Sequence, residues 1–402
     1  MGKKWRGVAA LLLGLGILLG VSQQVRAQSG AEVSSLTVGH DFGEEIRFQV
    51  QIETSNPIEE VLVLFRDVRE DNTRIYKMSA DGDEFAYTYD ASDNLLHPFA
   101  ELSLWFQIRL ENGEEFTTKK YTYMYTDDRF SWETREDGNL RVHWSQGDES
   151  FGQGALDTAR NGLANIQKFF PADDSQPIDI YIYASPADLQ NALFMGGESW
   201  VAGHASPALG IVFVSIAPST QEKIIMQQQI PHELAHVLLY RYVGEGYNRL
   251  PNWLLEGIAS LAELYPNPDY ELALERAVDQ NTLIPIKDLC GAFSRDASQA
   301  FLSYAEAASF TRYLHSNYGI TKLDTLIRTY ADGVACDVGA ADVYGQPLAY
   351  LDARWQESVL GANLFGVAFR ATVPYLLILA IFLAYPAAQL FTRKPKQKKN
   401  DR

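Results

Sequence analysis

The sequence predicts a multidomain α+β protein: an N-terminal β-sandwich, a mixed α/β unit running into a helical lobe, and a C-terminal transmembrane helix. Three observations predict it. Apolar and polar residues alternate between about residues 33 and 126, the period of half-buried strands. Strand-like and helix-like segments then take turns, giving way to helical periodicity from about Thr220 onward. Finally, residues 371–392 carry no charge and are long enough to cross a bilayer. The chain has 402 residues, 47% hydrophobic and 21% charged, so it is long enough for two or three domains with cores of their own.

The first element is a leader. In "MGKKWRGVAALLLGLGILLGVSQQVRAQSG", Lys3, Lys4 and Arg6 precede an apolar run from Val8 to Val21, and Val25 and Ala27 fit a small-residue cleavage site. This layout predicts a secretory signal peptide over residues 1–27, with an uncleaved anchor as the alternative.

The sandwich is expected over residues 31–127. "EIRFQVQIE" sets Ile46, Phe48, Val50 and Ile52 on one face, and "EVLVLFRDV" does the same with Val61, Val63 and Phe65. "ELSLWFQIRLENG", "EFTTKKYTYMY", "RIYKM" and "FAYTY" add further strands, about seven in all, which suggests an immunoglobulin- or fibronectin-type sandwich. No histidine or cysteine cluster is visible in this stretch, and Asp-Gly-Asp-Glu at 81–84 reads as a solvated turn.

The next domain is expected over residues 130–362. "GQGALDTARNGLANIQKFF" and "PADLQNALF" read as helices, "PIDIYIYA" and "GIVFVSIA" as strands. "GIVFVSIA" is either an edge strand open to an extended substrate or a core strand. Helices follow through "NWLLEGIASLAELY", "YELALERAVDQN", "FLSYAEAASFTRYLHSNYG" and "KLDTLIRTYADG". Cys290 and Cys336, the two cysteines, lack metal-ligand spacing and are expected to be bridged outside the cytoplasm.

The end of the chain completes the layout. "RKPKQKKNDR" (393–402) follows the span, and Lys and Arg beside a span mark its cytoplasmic side. The expectation is a single-pass cell-membrane protein with an extracytoplasmic ectodomain and a basic cytoplasmic tail. Formal charge is −17, and the 24 basic and 50 acidic residues between 28 and 392 make the ectodomain more acidic still. A nucleic-acid partner is excluded on that balance, because phosphate contacts need a basic face.

The chemistry sits in "QQQIPHELAHVLLYRY" (227–242). His232 and His236 are four apart, so a helix brings both to one side, where neutral imidazoles bind zinc. Glu233, beside the first of them, is placed as a general base. A catalytic site needs a third ligand, and Glu256 in "PNWLLEGIASLAE" is the candidate, 19 residues intervening after His236. Pro231 predicts either the start of the metal-binding helix or a bend in a longer one from near Thr220.

"HELAH" followed by "NWLLEGIA" resembles the gluzincin clan of zinc metallopeptidases. The surrounding "WVAGHASPALGIVFVSIAP" and "YAEAASFTRYL" are similar to its peptidase MA-like group. The resemblance implies a gluzincin-type domain with Zn2+ on His232, His236 and Glu256, and Glu233 as base. It also implies an oxyanion donor from the helical lobe, for which Tyr304 is the candidate and core packing its alternative role; His204 and His315 come after it. Two departures stand out. Ser260 occupies the position where the thermolysin-like branch has an aspartate, which leaves the partner that orients the histidines unidentified. The Gly-x-Met-Glu-Asn stretch that aminopeptidases of the clan use is missing. The expected function is a membrane-anchored zinc peptidase acting on peptides or proteins. The alternatives are an aminopeptidase of the same clan and a non-catalytic surface module.

Overall fold

The computed structural model describes residues 30–92, 96–193 and 203–361. The expected leader (1–27), span (371–392) and basic tail (393–402) lie outside the described residues. Among the described residues no helix is long and apolar enough to cross a membrane. The chain divides into two compact units between Arg129 and Phe130.

Among the described residues the first unit holds nine strands: β1 (Glu32–Asp41), β2 (Glu45–Glu53), β3 (Ile58–Asp67), β4 (Arg74–Lys77), β5 (Ser79–Asp81), β6 (Glu84–Asp90), β7 (Ala100–Leu110), β8 (Glu115–Thr117) and β9 (Tyr121–Tyr125). They form two antiparallel sheets, ordered β1-β2-β6-β5 and β4-β3-β7-β8, with β9 also pairing to β7. The alternation read from the sequence is what the sheets bury. Phe48 of one sheet meets Phe65 of the other at 5.0 Å, and Tyr89 closes on Phe65 edge to face. Asp81 to Glu84 is the turn between β5 and β6, with Gly82 at φ +62°.

In one respect this unit departs from the sequence reading. The fold brings Asp67, Glu70 and His97 together, a cluster that no local spacing betrays. Its charge is already balanced, since Arg69 grips both oxygens of buried Asp67 and Arg74 pairs with Glu70.

In the second unit β10 (Glu133–Asp137), β11 (Leu140–Trp144), α1 (Glu149–Ile166), β12 (Ile178–Tyr183), α2 (Pro186–Leu193), β13 (Gly203–Ser206) and β14 (Ile211–Ser215) come first. The sheet order is β10-β11-β12-β14-β13, parallel in the middle and antiparallel at both flanks. "GIVFVSIA" therefore forms an interior strand, β14, and the strand beside it at the end of the order is β13. The helices follow as α3 (Glu222–Val243), α4 (Asn252–Ala262), α5 (Asp269–Gln280), α6 (Ala297–Tyr318), α7 (Ile320–Ala331), α8 (Cys336–Tyr344) and α9 (Leu348–Ser358).

One apolar core runs from the inner face of the sheet through α1 and α3 into the helical lobe. There Trp253, Phe310 and Trp355 are fully buried and pack edge to face at 5.1 and 5.7 Å. Gly257 lets α4 lie directly on α6: a Cβ there would stand 1.9 Å from Thr311 Oγ1. The glycine of "LLEGIA" thus sets the depth at which Glu256 is presented. Cys290 and Cys336 form a disulfide that ties the segment after α5 to the start of α8.

Candidate metal centre

The motif helix α3 runs unbroken from Glu222 to Val243, so Pro231 lies inside it and does not start it. A proline at 231 has no N–H for the carbonyl four residues earlier, that of Gln227. That carbonyl instead accepts from the backbone N–H of Leu264 at 2.9 Å. Leu264 lies just past the end of α4. Asn165 of α1 adds a second tie, donating to the carbonyl of Ala262 at 3.0 Å. The end of α4 is thereby sewn onto α3 one residue away from Glu263.

His232, His236 and Glu256 converge, with one ligand atom from each lying within 4.8 Å of the others. Glu256 Oε2 is 3.2 Å from His232 Nε2 and 3.7 Å from His236 Nε2. Both distal ring nitrogens are engaged. His232 Nδ1 lies 3.0 Å from Glu263 Oε1, and His236 Nδ1 lies 3.0 Å from the Tyr247 hydroxyl. A carboxylate only accepts, so Nδ1 of His232 carries a proton; in the neutral ring Nε2 then holds the lone pair that faces Glu256. A lone pair opposed to a carboxylate needs positive charge between them.

Without a metal, a proton on His232 meets that need. Burial works against charging His232, but Glu256 and Glu263 outweigh it and raise its pKa well above the usual imidazole value. Burial likewise opposes ionising Glu256, yet His236 and His232 hold it ionised far below the usual carboxylate range. Glu233 behaves differently: burial raises its pKa, partly offset by the two histidines. The residue types, the convergence and the engaged Nδ1 atoms all fit a divalent metal of the zinc kind.

Glu233 does not join the ligand cluster. It lines a cavity of about 260 Å³ with His232, Gly203, Tyr270, Phe301 and Tyr304. Gly203, on edge strand β13, comes so close that a Cβ there would be 2.4 Å from Glu233 Oε1. Tyr304 is thus placed on the cavity with Glu233, whereas His315 packs against Phe169 at 5.4 Å. His204 stacks on Phe213 in the sheet, and its pKa is lowered by burial and then by His236.

Sequence reasoning missed Glu263, Tyr247 and Tyr270. Glu263 supplies the carboxylate partner that Ser260 could not, and Ser260 itself is buried. Glu263 lies one residue past α4, where the backbone turns extended, so helical spacing from Glu256 does not reach it. Tyr247 sits in a short 3-10 segment, Gly244–Arg249, where no periodicity points to His236. Burial, with Glu256 and Glu233 nearby, pushes its hydroxyl pKa far up, which keeps it neutral.

No curated protein sequence matches the chain. Among solved structures it is similar to OgpA from Akkermansia muciniphila, at 14% identity over 24% of this chain and 28% of that one, TM-score 0.21. A purple acid phosphatase, PPD1, from yellow lupin seeds is similar at 12% identity over 48% and 39%, TM-score 0.20. An aminopeptidase N family protein from Idiomarina loihiensis is similar at 8% identity over 79% and 68%, TM-score 0.31. The chain spans less than half the length of the first two. The family model for the peptidase MA superfamily matches residues 158–361, half of the chain. The chain belongs to the peptidase MA superfamily.

Proposed function

We propose that this chain is a zinc-dependent peptidase, held at the cell membrane by its C-terminal span, that hydrolyses internal peptide bonds. The observation that carries the reading is the convergence of His232 Nε2, His236 Nε2 and Glu256 Oε2, with both histidines fixed from behind. When bound there, zinc supplies Lewis acidity, polarising a carbonyl and making water acidic enough to act as a nucleophile near neutral pH.

The remaining work belongs to side chains. Glu233 takes the proton given up by the attacking water and returns it to the leaving amine; its burial-raised pKa suits both halves of that exchange. Edge strand β13 is placed for an extended substrate to pair alongside it, and Gly203 keeps side-chain bulk away from Glu233. Tyr304, on the same cavity, is the proposed donor to the developing oxyanion. The acidic ectodomain outside and the basic tail inside fit this placement.

The test uses internally quenched peptides, one set blocked at both ends and one with a free amino terminus. Cleavage is expected to stop with chelator, return with zinc, and fall by about 10²–10⁴-fold in Glu233→Gln. Undiminished cleavage by Glu233→Gln contradicts the base assignment. Cleavage confined to peptides with a free amino terminus makes the protein an aminopeptidase, and none at all makes it a binding module.

A further inference from the structure

Phe301 stands between two hollows. One is the cavity over His232 and Glu233. The other is an open groove of about 780 Å³ between α5 and α6, which Phe301 also lines. The ring of Tyr270, on the first cavity, lies 5.2 Å from that of Phe301, so the two hollows share a wall of adjoining aromatic rings.

The groove has a consistent chemistry. Asp269, Leu272, Ala273, Arg276, Ala277 and Gln280 line it, spaced as one face of α5. The acids Glu271, Glu275 and Asp279 fall off that face. Leu272 and Phe301 keep 44% and 37% of their surface in contact with water, although both are large and apolar. Arg276 is the single cation of α5, and it makes no ion pair among the described residues. Asp269 lines the end of the groove nearer the catalytic cavity, and Arg276 lies two turns further along.

We propose that this groove is a substrate subsite that selects peptides carrying a bulky apolar residue followed at a distance by an acidic one. The proposal rests on the peptidase reading. The occupant is the stretch of substrate that leaves the catalytic cavity past Phe301. Its apolar side chain covers Phe301 and Leu272, and its carboxylate meets Arg276. Asp269 repels a carboxylate at the near end and so confines it to the far one. From Tyr270 to Arg276 the helix rises about 9 Å, at about 1.5 Å per residue. An extended chain spans that in about three residues. The acidic position is therefore about three residues beyond the one seated against Tyr270.

The test measures binding and cleavage of blocked peptides by the full chain and by Arg276→Glu. The peptides carry Leu or Phe at the apolar position and either Glu or Lys about three residues on. The native chain is expected to prefer Glu over Lys about fivefold. Arg276→Glu, an exposed change, is expected to move that ratio about tenfold toward Lys, and the effect should shrink in high salt. Cleavage with the same ratio in both proteins overturns the subsite and leaves the peptidase reading standing. Binding that follows Arg276 without any cleavage keeps the subsite and overturns the peptidase reading. Neither binding nor cleavage overturns both.

Discussion

Leu264 donates its backbone N–H to the carbonyl of Gln227 at 2.9 Å, and that carbonyl is open to it because Pro231 has no proton to give. The proline before the first histidine therefore takes part in building the site. It exchanges one hydrogen bond within α3 for one between α3 and the end of α4, immediately beside Glu263. Pro231→Ala restores the helical donor, which competes with Leu264. Helix content should hold or rise, while metal affinity should fall by about threefold to tenfold, less than the roughly 10–100-fold typical of a group bonded directly to a ligand, because the tie acts through Glu263. Circular dichroism with a chelator-competition titration checks both. Unchanged affinity contradicts the account.

Glu263 is the more direct support. Glu263→Gln removes the negative charge from His232 Nδ1 and keeps the shape. Metal affinity should drop by about 10–100-fold. Competition with a chromogenic chelator reads it, and a change under twofold means that His232 is oriented by something else.

Gly203→Ala places a methyl group where Glu233 now lies, 2.4 Å from its Oε1. The base must move, but the three ligands need not. We expect kcat to fall at least about tenfold with metal content unchanged, measured by peptide cleavage beside elemental analysis. Loss of metal instead would show that Glu233 and the ligands shift together.

The three converging side chains were legible in the sequence, and the groups that support them were not. His232 and His236 are one helical turn apart and Glu256 follows within a readable distance, so local spacing carries their chemistry. Glu263 lies just past the last residue of α4, where an extended backbone (ψ 133°) redirects the chain and helical periodicity stops being a guide. Tyr247 depends on where a 3-10 turn happens to end. The alternating strands β2, β3 and β7 were legible because each buries one face in the sandwich. Strand β10 was not, because "ETRED" keeps its residues largely in water and carries no apolar alternation. Asp67, Glu70 and His97 meet only through the fold, with 26 residues of chain between the last two.

Away from the site, Glu306 makes a prediction about stability. It is fully buried on α6 and accepts from the backbone N–H of Ile284, and burial pushes its pKa up to about 8. Asp352 nearby accepts from Ile286 N–H and is also raised, chiefly by burial. Between about pH 4.5 and 8 the unfolded chain has released the Glu306 proton while the folded chain retains it. Stability therefore falls as pH rises through that window, by at most about 1.4 kcal/mol per pH unit for this group, and levels off above it. Glu306→Gln should flatten the slope, raising the urea midpoint at pH 8.5 relative to the native chain and changing it little at pH 4.5. An equal slope in both proteins contradicts this.

The Cys290–Cys336 bridge closes a loop of 46 residues. On the chain-entropy account that is worth about 4 kcal/mol. The double variant Cys290→Ser with Cys336→Ser should melt about 8–16 °C lower in a calorimetric scan. A shift under about 3 °C would mean that the helical lobe is held by its core alone.

The central claim is that His232, His236 and Glu256 hold one metal ion and that Glu233 stands beside it without holding it. Elemental analysis of metal bound per chain, run on the native protein, Glu256→Ala and Glu233→Gln after the same gentle desalting, tests this most directly. The account predicts about one zinc per chain in the native protein and in Glu233→Gln, and a small fraction of that in Glu256→Ala. Native protein that retains no metal when zinc is supplied, or Glu256→Ala that retains as much as the native chain, would contradict it.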